Sequence, residues 1–200
     1  MFHIRFTKEA CAGGKLTLIH GDVLELKRAE LGLKENEYAV VANIPYYITG
    51  AILESFLQYE PRPSRMILLV QKEVADRIMA RDAKESILSM SVKAFGTPKM
   101  IAKVPPGAFT PPPTVDSAIL EISAISNERF LQSKADIADF FKILRVGFAH
   151  KRKFLKSNLK ETVPIEKLEK TWGVLGLNEK ARAEDLSPDQ WFAIARELEA

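Results

Sequence analysis

Four consecutive residues, Asn43-Ile44-Pro45-Tyr46, carry the strongest chemical suggestion in this chain. They follow a short apolar run, 38–42, that reads as a buried strand, and ligands of open α/β sheets sit beyond the carboxyl ends of strands. Toward a planar amine, the Asn43 side-chain oxygen can accept one N–H and the Ile44 backbone carbonyl a second. Pro45 pushes Ile44 into an extended conformation and so sets where that carbonyl points. Tyr46 adds a ring on which a base can stack, a contact worth about 1–3 kcal/mol. Two acceptors on one exocyclic amine draw its lone pair out of ring conjugation and make the nitrogen a nucleophile. The same residues also read as a strand-end turn with a structural Asn, because four-residue motifs arise easily by chance.

Three further features bear on this chemistry. Gly21-Asp22 closes another apolar run, 16–20, and its carboxylate could accept from an adenine amino group, although Gly-Asp is also an ordinary turn. Phe109 lies between prolines in the segment 105–113, either a rigid stacking platform or a plug at the core edge. Residues 142–160 hold seven Lys or Arg and no acid. Wound as one helix at about 100° per residue, they place Leu144, Phe148, Leu155 and Leu159 on one face. Arg145, Arg152 and Lys156 then line a neighbouring face, with Lys151 and Lys153 beside it. That pattern suits tracking phosphates, against the alternative of a solvated helix face.

These residues need elements to hold them. Runs 16–20, 38–42, 66–70, 99–104 and 115–122 read as strands, and Ala51, Ile52, Phe56 and Leu57, then Val74, Ile78 and Met79, have helical spacing between them. Alternating strands and helices predict an α/β sheet, largely parallel. Five prolines in 105–113 predict a stiff, extended loop. Beyond about residue 125 the strands stop, and 135–159, 165–175 and 188–198 read as helices. The last opens on Ser187 as N-cap, Pro188 in the first turn and Gln190 completing a capping box. The expected division is 1–125 and 126–200.

Composition narrows the class. With 46% hydrophobic and 28% charged residues over 200 positions, collagen-like and disordered readings drop out. No apolar run approaches the roughly 20 residues of a membrane-spanning helix, and the first residues lack a secretory apolar core. One cysteine, Cys11, excludes an internal disulfide and a Cys-rich zinc site, so no metal is expected and a reducing cytoplasm is. The net charge is only +3, so the informative charge is the local run at 142–160.

Together the motifs at 16–24, 41–49, 104–117 and 148–159, in order and over nearly the whole chain, resemble the ribosomal small-subunit RNA adenine N6,N6-dimethyltransferase family and its erythromycin-resistance methylase relatives. The resemblance implies a Rossmann-like class I methyltransferase sheet followed by a small all-helical RNA-binding domain. It implies S-adenosylmethionine as cofactor, its adenine amine donating to Asp22 and its sulfonium near Asn43. Asn43 and the Ile44 carbonyl would polarise the target N6, with Pro45 shaping the turn, and Tyr46 and Phe109 would sandwich the extruded adenine. Methyl transfer is then an in-line displacement governed by positioning, with no dedicated general base. The implied partner is small-subunit ribosomal RNA in the pre-ribosomal particle, with no membrane, and the chain is read as a monomer.

The chain departs from that pattern at its front. Family members begin with a strand ending in a Gly-x-Gly-x-Gly type loop and a second strand ending in an acid; neither is present, and Gly13-Gly14 precede the Asp22 run. The expectation is a sheet lacking its first two strands and a chain that is N-terminally truncated or mis-started, with weak cofactor binding. Competing functions are a non-catalytic RNA-binding or ribosome-assembly remnant and a DNA adenine methylase, which shares the Asn-x-Pro-Tyr logic.

Overall fold

The structure, a computed structural model, describes residues 16–199. Cys11 and Gly13-Gly14 lie outside the described residues. In chain order the elements are β1 (Ala39–Asn43), α1 (Thr49–Gln58), β2 (Arg65–Gln71), α2 (Lys72–Met79), α3 (Ile87–Lys93), β3 (Thr97–Val104) and β4 (Ser117–Ser123). Helices α4 (Glu128–Ser133), α5 (Ile137–Gly147), α6 (Leu155–Leu159), α7 (Ile165–Leu175) and α8 (Pro188–Glu199) follow.

Alternation along β2 and β4 decides which face of the sheet is core. Met66, Leu68 and Val70 of β2 and Ala118, Leu120 and Ile122 of β4 are fully buried, while Ile67, Leu69 and Ile119 between them are only partly so. Opposite partners match in register, Leu68 facing Leu120 and Met66 facing Ile122. Onto that face α1 packs Ile52, Leu53, Phe56 and Leu57, α2 packs Ala75 and Ile78, and α3 packs Met90 and Val92. Each of the larger of these side chains contributes about 1.5–3 kcal/mol by leaving water. A chain of rings carries the core into the C-terminal helices: Phe95 lies 5.0 Å from Phe130, which lies 5.0 Å from Phe192, itself stacked at 4.6 Å on Phe140.

The sheet runs β1-β2-β4-β3 and is not largely parallel. Only β1 and β2, joined across α1, pair in parallel; β4 pairs antiparallel with both β2 and β3. A single strand–helix–strand crossover supplies one parallel pair. The loop between β3 and β4 contains no helix that could return the chain to the starting edge, so β4 runs back alongside β3.

The expected strand at 16–20 is absent. The segment is unpaired, with Leu18 and Ile19 exposed at 57% and 46%. No described strand lies beside it, so its peptide groups bond to water and its apolar side chains have nothing to cover. It runs into a turn in which Asp22 Oδ1 accepts from the Leu24 N–H at 2.9 Å.

The basic stretch is not one helix either. Helix α5 ends at Gly147, residues 148–154 form turns, and α6 begins at Leu155. Buried Asn158 holds the break, its Nδ2 donating to the carbonyls of Gly147 at 2.6 Å and His150 at 3.2 Å. The Gly147 carbonyl would otherwise end the helix without a partner, whereas that of His150 also accepts the Lys153 N–H at 3.0 Å. Gly147 is required there: a Cβ would sit 2.4 Å from the Trp191 ring and 2.8 Å from Leu155 Cδ1. Leu144, Leu155 and Leu159 are buried together, as expected, but by chain reversal rather than by sharing a helical face.

Helices α3 and α4 escaped the sequence reading, as did short 3-10 turns such as Pro106–Ala108 inside the proline-rich loop. The start of α8 is as expected: the Ser187 N–H donates to Gln190 Oε1 at 2.9 Å and the Gln190 N–H returns to Ser187 Oγ at 3.3 Å.

Candidate active site

Strand direction brings the chemistry to one edge of the sheet. Parallel β1 and β2 end there, and because β4 is antiparallel to β2 and β3, β3 also ends and β4 begins there. The Asn43–Tyr46 turn and the 105–116 loop with Phe109 therefore share an edge, though 60 residues apart in sequence. The Lys72 N–H donates to the Asp116 carbonyl at 2.9 Å and pins the end of that loop to the start of α2.

Within the turn, each residue has a distinct placement. Asn43 ends β1 and is exposed, whereas Ile44 is 5% exposed and anchors the turn in the core. Pro45 is extended (φ −59°, ψ 132°) and its carbonyl accepts from the Ile48 N–H at 3.1 Å, closing the 3-10 turn Tyr46–Ile48. Thr49, buried at the head of α1, donates from Oγ1 to the Tyr46 carbonyl at 3.0 Å. The Tyr46 hydroxyl lies 2.6 Å from Oγ of fully buried Ser117, the first residue of β4. Phe109 is half-buried, its N–H donating to the Pro106 carbonyl at 3.1 Å.

A cleft of 760 Å³ opens beside Tyr46, a size ordinary for a ligand site. Tyr46, Thr49 and Gly50 line it, as do Phe141, Arg145, Phe148 and Lys151 of the C-terminal helical part. Arg145 and Lys151 make no ion pair among the described residues, while Glu54 is the acid on the floor that also lacks one. Of the expected basic residues, these two thus line one cleft with Tyr46.

The other three are placed differently. Arg152 is exposed on the turn outside the cleft. Lys153 pairs with Glu161 at 3.3 Å. Lys156 is gripped by Glu169 at 2.8 Å and Glu179 at 2.9 Å, with its ammonium 5.8 Å from the Trp172 ring centre. Hydrogen bonds to Glu169, then to Glu179, push its pKa above the ordinary lysine value. The continuous cationic face expected from a single helix does not form, because the break after Gly147 turns Lys156 toward α7.

Ser117 and Asn158 had no signal in the sequence: a buried hydroxyl and a buried amide reveal partners 71 and 11 residues away only once the chain is folded.

The model of the family described as "Ribosomal RNA adenine dimethylase" matches residues 3–200. The chain belongs to that family. It is 40% identical over 177 residues to a ribosomal RNA small subunit methyltransferase A from Dehalococcoides mccartyi, covering 87% of this chain and 60% of the relative. It is 38% identical over 191 residues to the protein of the same name from Thermosynechococcus vestitus, covering 92% and 69%. The chain spans about 60% of the length of the first of these curated relatives. Its fold is similar to that of a dimethyladenosine transferase from Plasmodium falciparum (TM-score 0.76, 23% identity, covering 94% of this chain and 74% of that one). It is also similar to the 23S rRNA methyltransferase ErmE (TM-score 0.64, 19% identity, covering 96% and 76%). The family's methyltransferase fold thus underlies the four-stranded sheet. No helix among the described residues is long and apolar enough to cross a membrane.

Proposed function

We propose that this chain serves adenine N6 methylation of small-subunit ribosomal RNA and supplies the side of the reaction that holds the target base. The observation that carries this reading is Tyr46, fixed in the turn just beyond Asn43 at the carboxyl end of β1 and lining one cleft with Arg145 and Lys151. In this reading an adenine leaves its stack, lies against Tyr46 and donates its amino hydrogens to Asn43 Oδ1 and the Ile44 carbonyl. Those two acceptors leave the N6 lone pair available for attack. Phe109, on the loop at the same edge, covers the other face of the base, while Arg145 and Lys151 take flanking phosphates. Methyltransferase names among the relatives favour this over a non-catalytic assembly protein.

The family's methyl donor is S-adenosylmethionine. Of the two residues expected to touch it, Asn43 stands at the end of β1, while Asp22 lies in an exposed turn with its carboxylate on the Leu24 N–H, outside the sheet. We therefore assign residues 16–199 only the target-base side of the reaction and expect weak cofactor affinity.

The test is transfer of tritiated methyl from S-adenosylmethionine to small-subunit ribosomal RNA, with RNA affinity measured in parallel. Transfer by this chain is expected to be slow and to vanish in Asn43→Ala, with RNA affinity changed less than about twofold, since Asn43 touches one base while phosphates dominate binding. Transfer that survives Asn43→Ala refutes the assignment.

A further inference from the structure

The Asn43–Tyr46 turn runs directly into a second tyrosine, and the two are treated oppositely by the fold. Tyr47 is 88% exposed and its hydroxyl has no hydrogen bond among the described residues. Tyr46 is half-buried, and its hydroxyl ends 2.6 Å from Ser117 Oγ. Ser117 is fully buried, and its backbone is held from both sides in the sheet, opposite Gln71 of β2 and Val104 of β3. The Tyr46 side chain thus reaches past the end of β2, from the edge strand to the third position in the sheet, and ends on a buried residue whose backbone is held on both sides. A tyrosine ring has two side-chain torsions. Anchoring its far end fixes the first torsion, and with it the place and the long axis of the ring.

We propose that Ser117 is a positioning residue that sets the place and the long axis of the Tyr46 ring and so the pose of the base stacked on it. The proposal rests on the reading of Tyr46 as the stacking surface. Stacking is directional: offset, nearly parallel rings gain what tilted ones lose. A ring free to swing like that of Tyr47 would hold a base less often in the pose that delivers its amine to Asn43 and Ile44. Ser117 also directly follows the loop carrying Phe109, so the one hydrogen bond ties together the two segments that bear the aromatic faces.

A purely structural role makes a different prediction, and a double-substitution cycle separates the two. If Ser117 and Tyr46 merely satisfy each other's buried hydroxyls, each single deletion leaves an orphan, and Ser117→Ala with Tyr46→Phe together leaves none and restores wild-type behaviour. If the bond orients the ring, the double substitution is as defective as either single one. The readout is a single-stranded RNA oligonucleotide carrying one 2-aminopurine, whose fluorescence is quenched when the base stacks on a tyrosine. Anisotropy of a dye at the RNA end reports affinity, and thermal melts report folding. Ser117→Ala, Tyr46→Phe and the double substitution are each expected to reduce the stacked-to-unstacked ratio by about fivefold, the scale of one neutral hydrogen bond. Wild-type quenching in the double substitution overturns the proposal alone. Quenching that persists in Tyr46→Ala overturns the stacking reading and the proposal with it.

Discussion

Asn158→Ala tests whether the break in the basic stretch is held as described. The Asn158 side chain is 1% exposed and donates both amide hydrogens, to Gly147 O at 2.6 Å and to His150 O at 3.2 Å. The substitution leaves the Gly147 carbonyl buried without its donor, at about 1–3 kcal/mol. The His150 carbonyl keeps the Lys153 N–H at 3.0 Å and adds little. Truncation also empties space beneath Leu155 and Leu159, about 1 kcal/mol more. Against this, Asn158 Oδ1 is itself buried without a partner, and removing it recovers part of the loss. The net expectation is destabilisation of about 2–3 kcal/mol, some 4–12 °C in melting temperature for a chain of this size. Urea unfolding followed by circular dichroism measures it, with a shifted midpoint and an unchanged slope expected. Asn158→Asp, which turns both donors into acceptors aimed at carbonyls, should be worse. A loss below about 0.5 kcal/mol in Asn158→Ala, the ordinary range of surface substitutions, refutes the account of what ends α5.

Two further outcomes follow from placement and charge. Neutralising Arg145 and Lys151 should weaken RNA binding and flatten its salt dependence by about 1 to 2 in logarithmic slope, whereas Lys156→Gln should leave that slope unchanged and loosen the packing of α6 on α7; equal slope changes from all three would refute the division of the basic residues. Asp76 and Asp185 are held below the usual carboxylate range, by hydrogen bonds from Lys72 and Lys84 respectively, so the stability they contribute is present above about pH 4 and lost as pH falls through their folded values; Asp76→Asn with Asp185→Asn should flatten the decline of the urea midpoint between roughly pH 5 and 3, and an unchanged decline would refute this.

What the sequence by itself determined are features whose cause is local. The runs around 66–70 and 115–122 are rich in β-forming apolar residues, and they form β2 and β4. Pro45 follows a strand and opens a turn, Ser187 and Gln190 cap a helix, and neither depends on distant residues. The Asn43–Tyr46 motif could be recognised for the same reason: its chemistry lies in four consecutive residues. Tertiary structure alone decided the remainder, because the deciding partner lies far along the chain. A strand at 16–20 needs neighbours to accept its peptide groups, and among the described residues it has none. The direction of β4 is a matter of which strand it pairs with, and local pattern is the same either way. Helical periodicity continues smoothly through Gly147, yet the helix stops there, because Asn158 offers its last carbonyl a buried donor and Trp191 fills the space a side chain would need. That reversal takes Lys156 to Glu169 and Glu179 and leaves Arg145 and Lys151 lining one cleft with Tyr46, whose ring is tied to Ser117, 71 residues away.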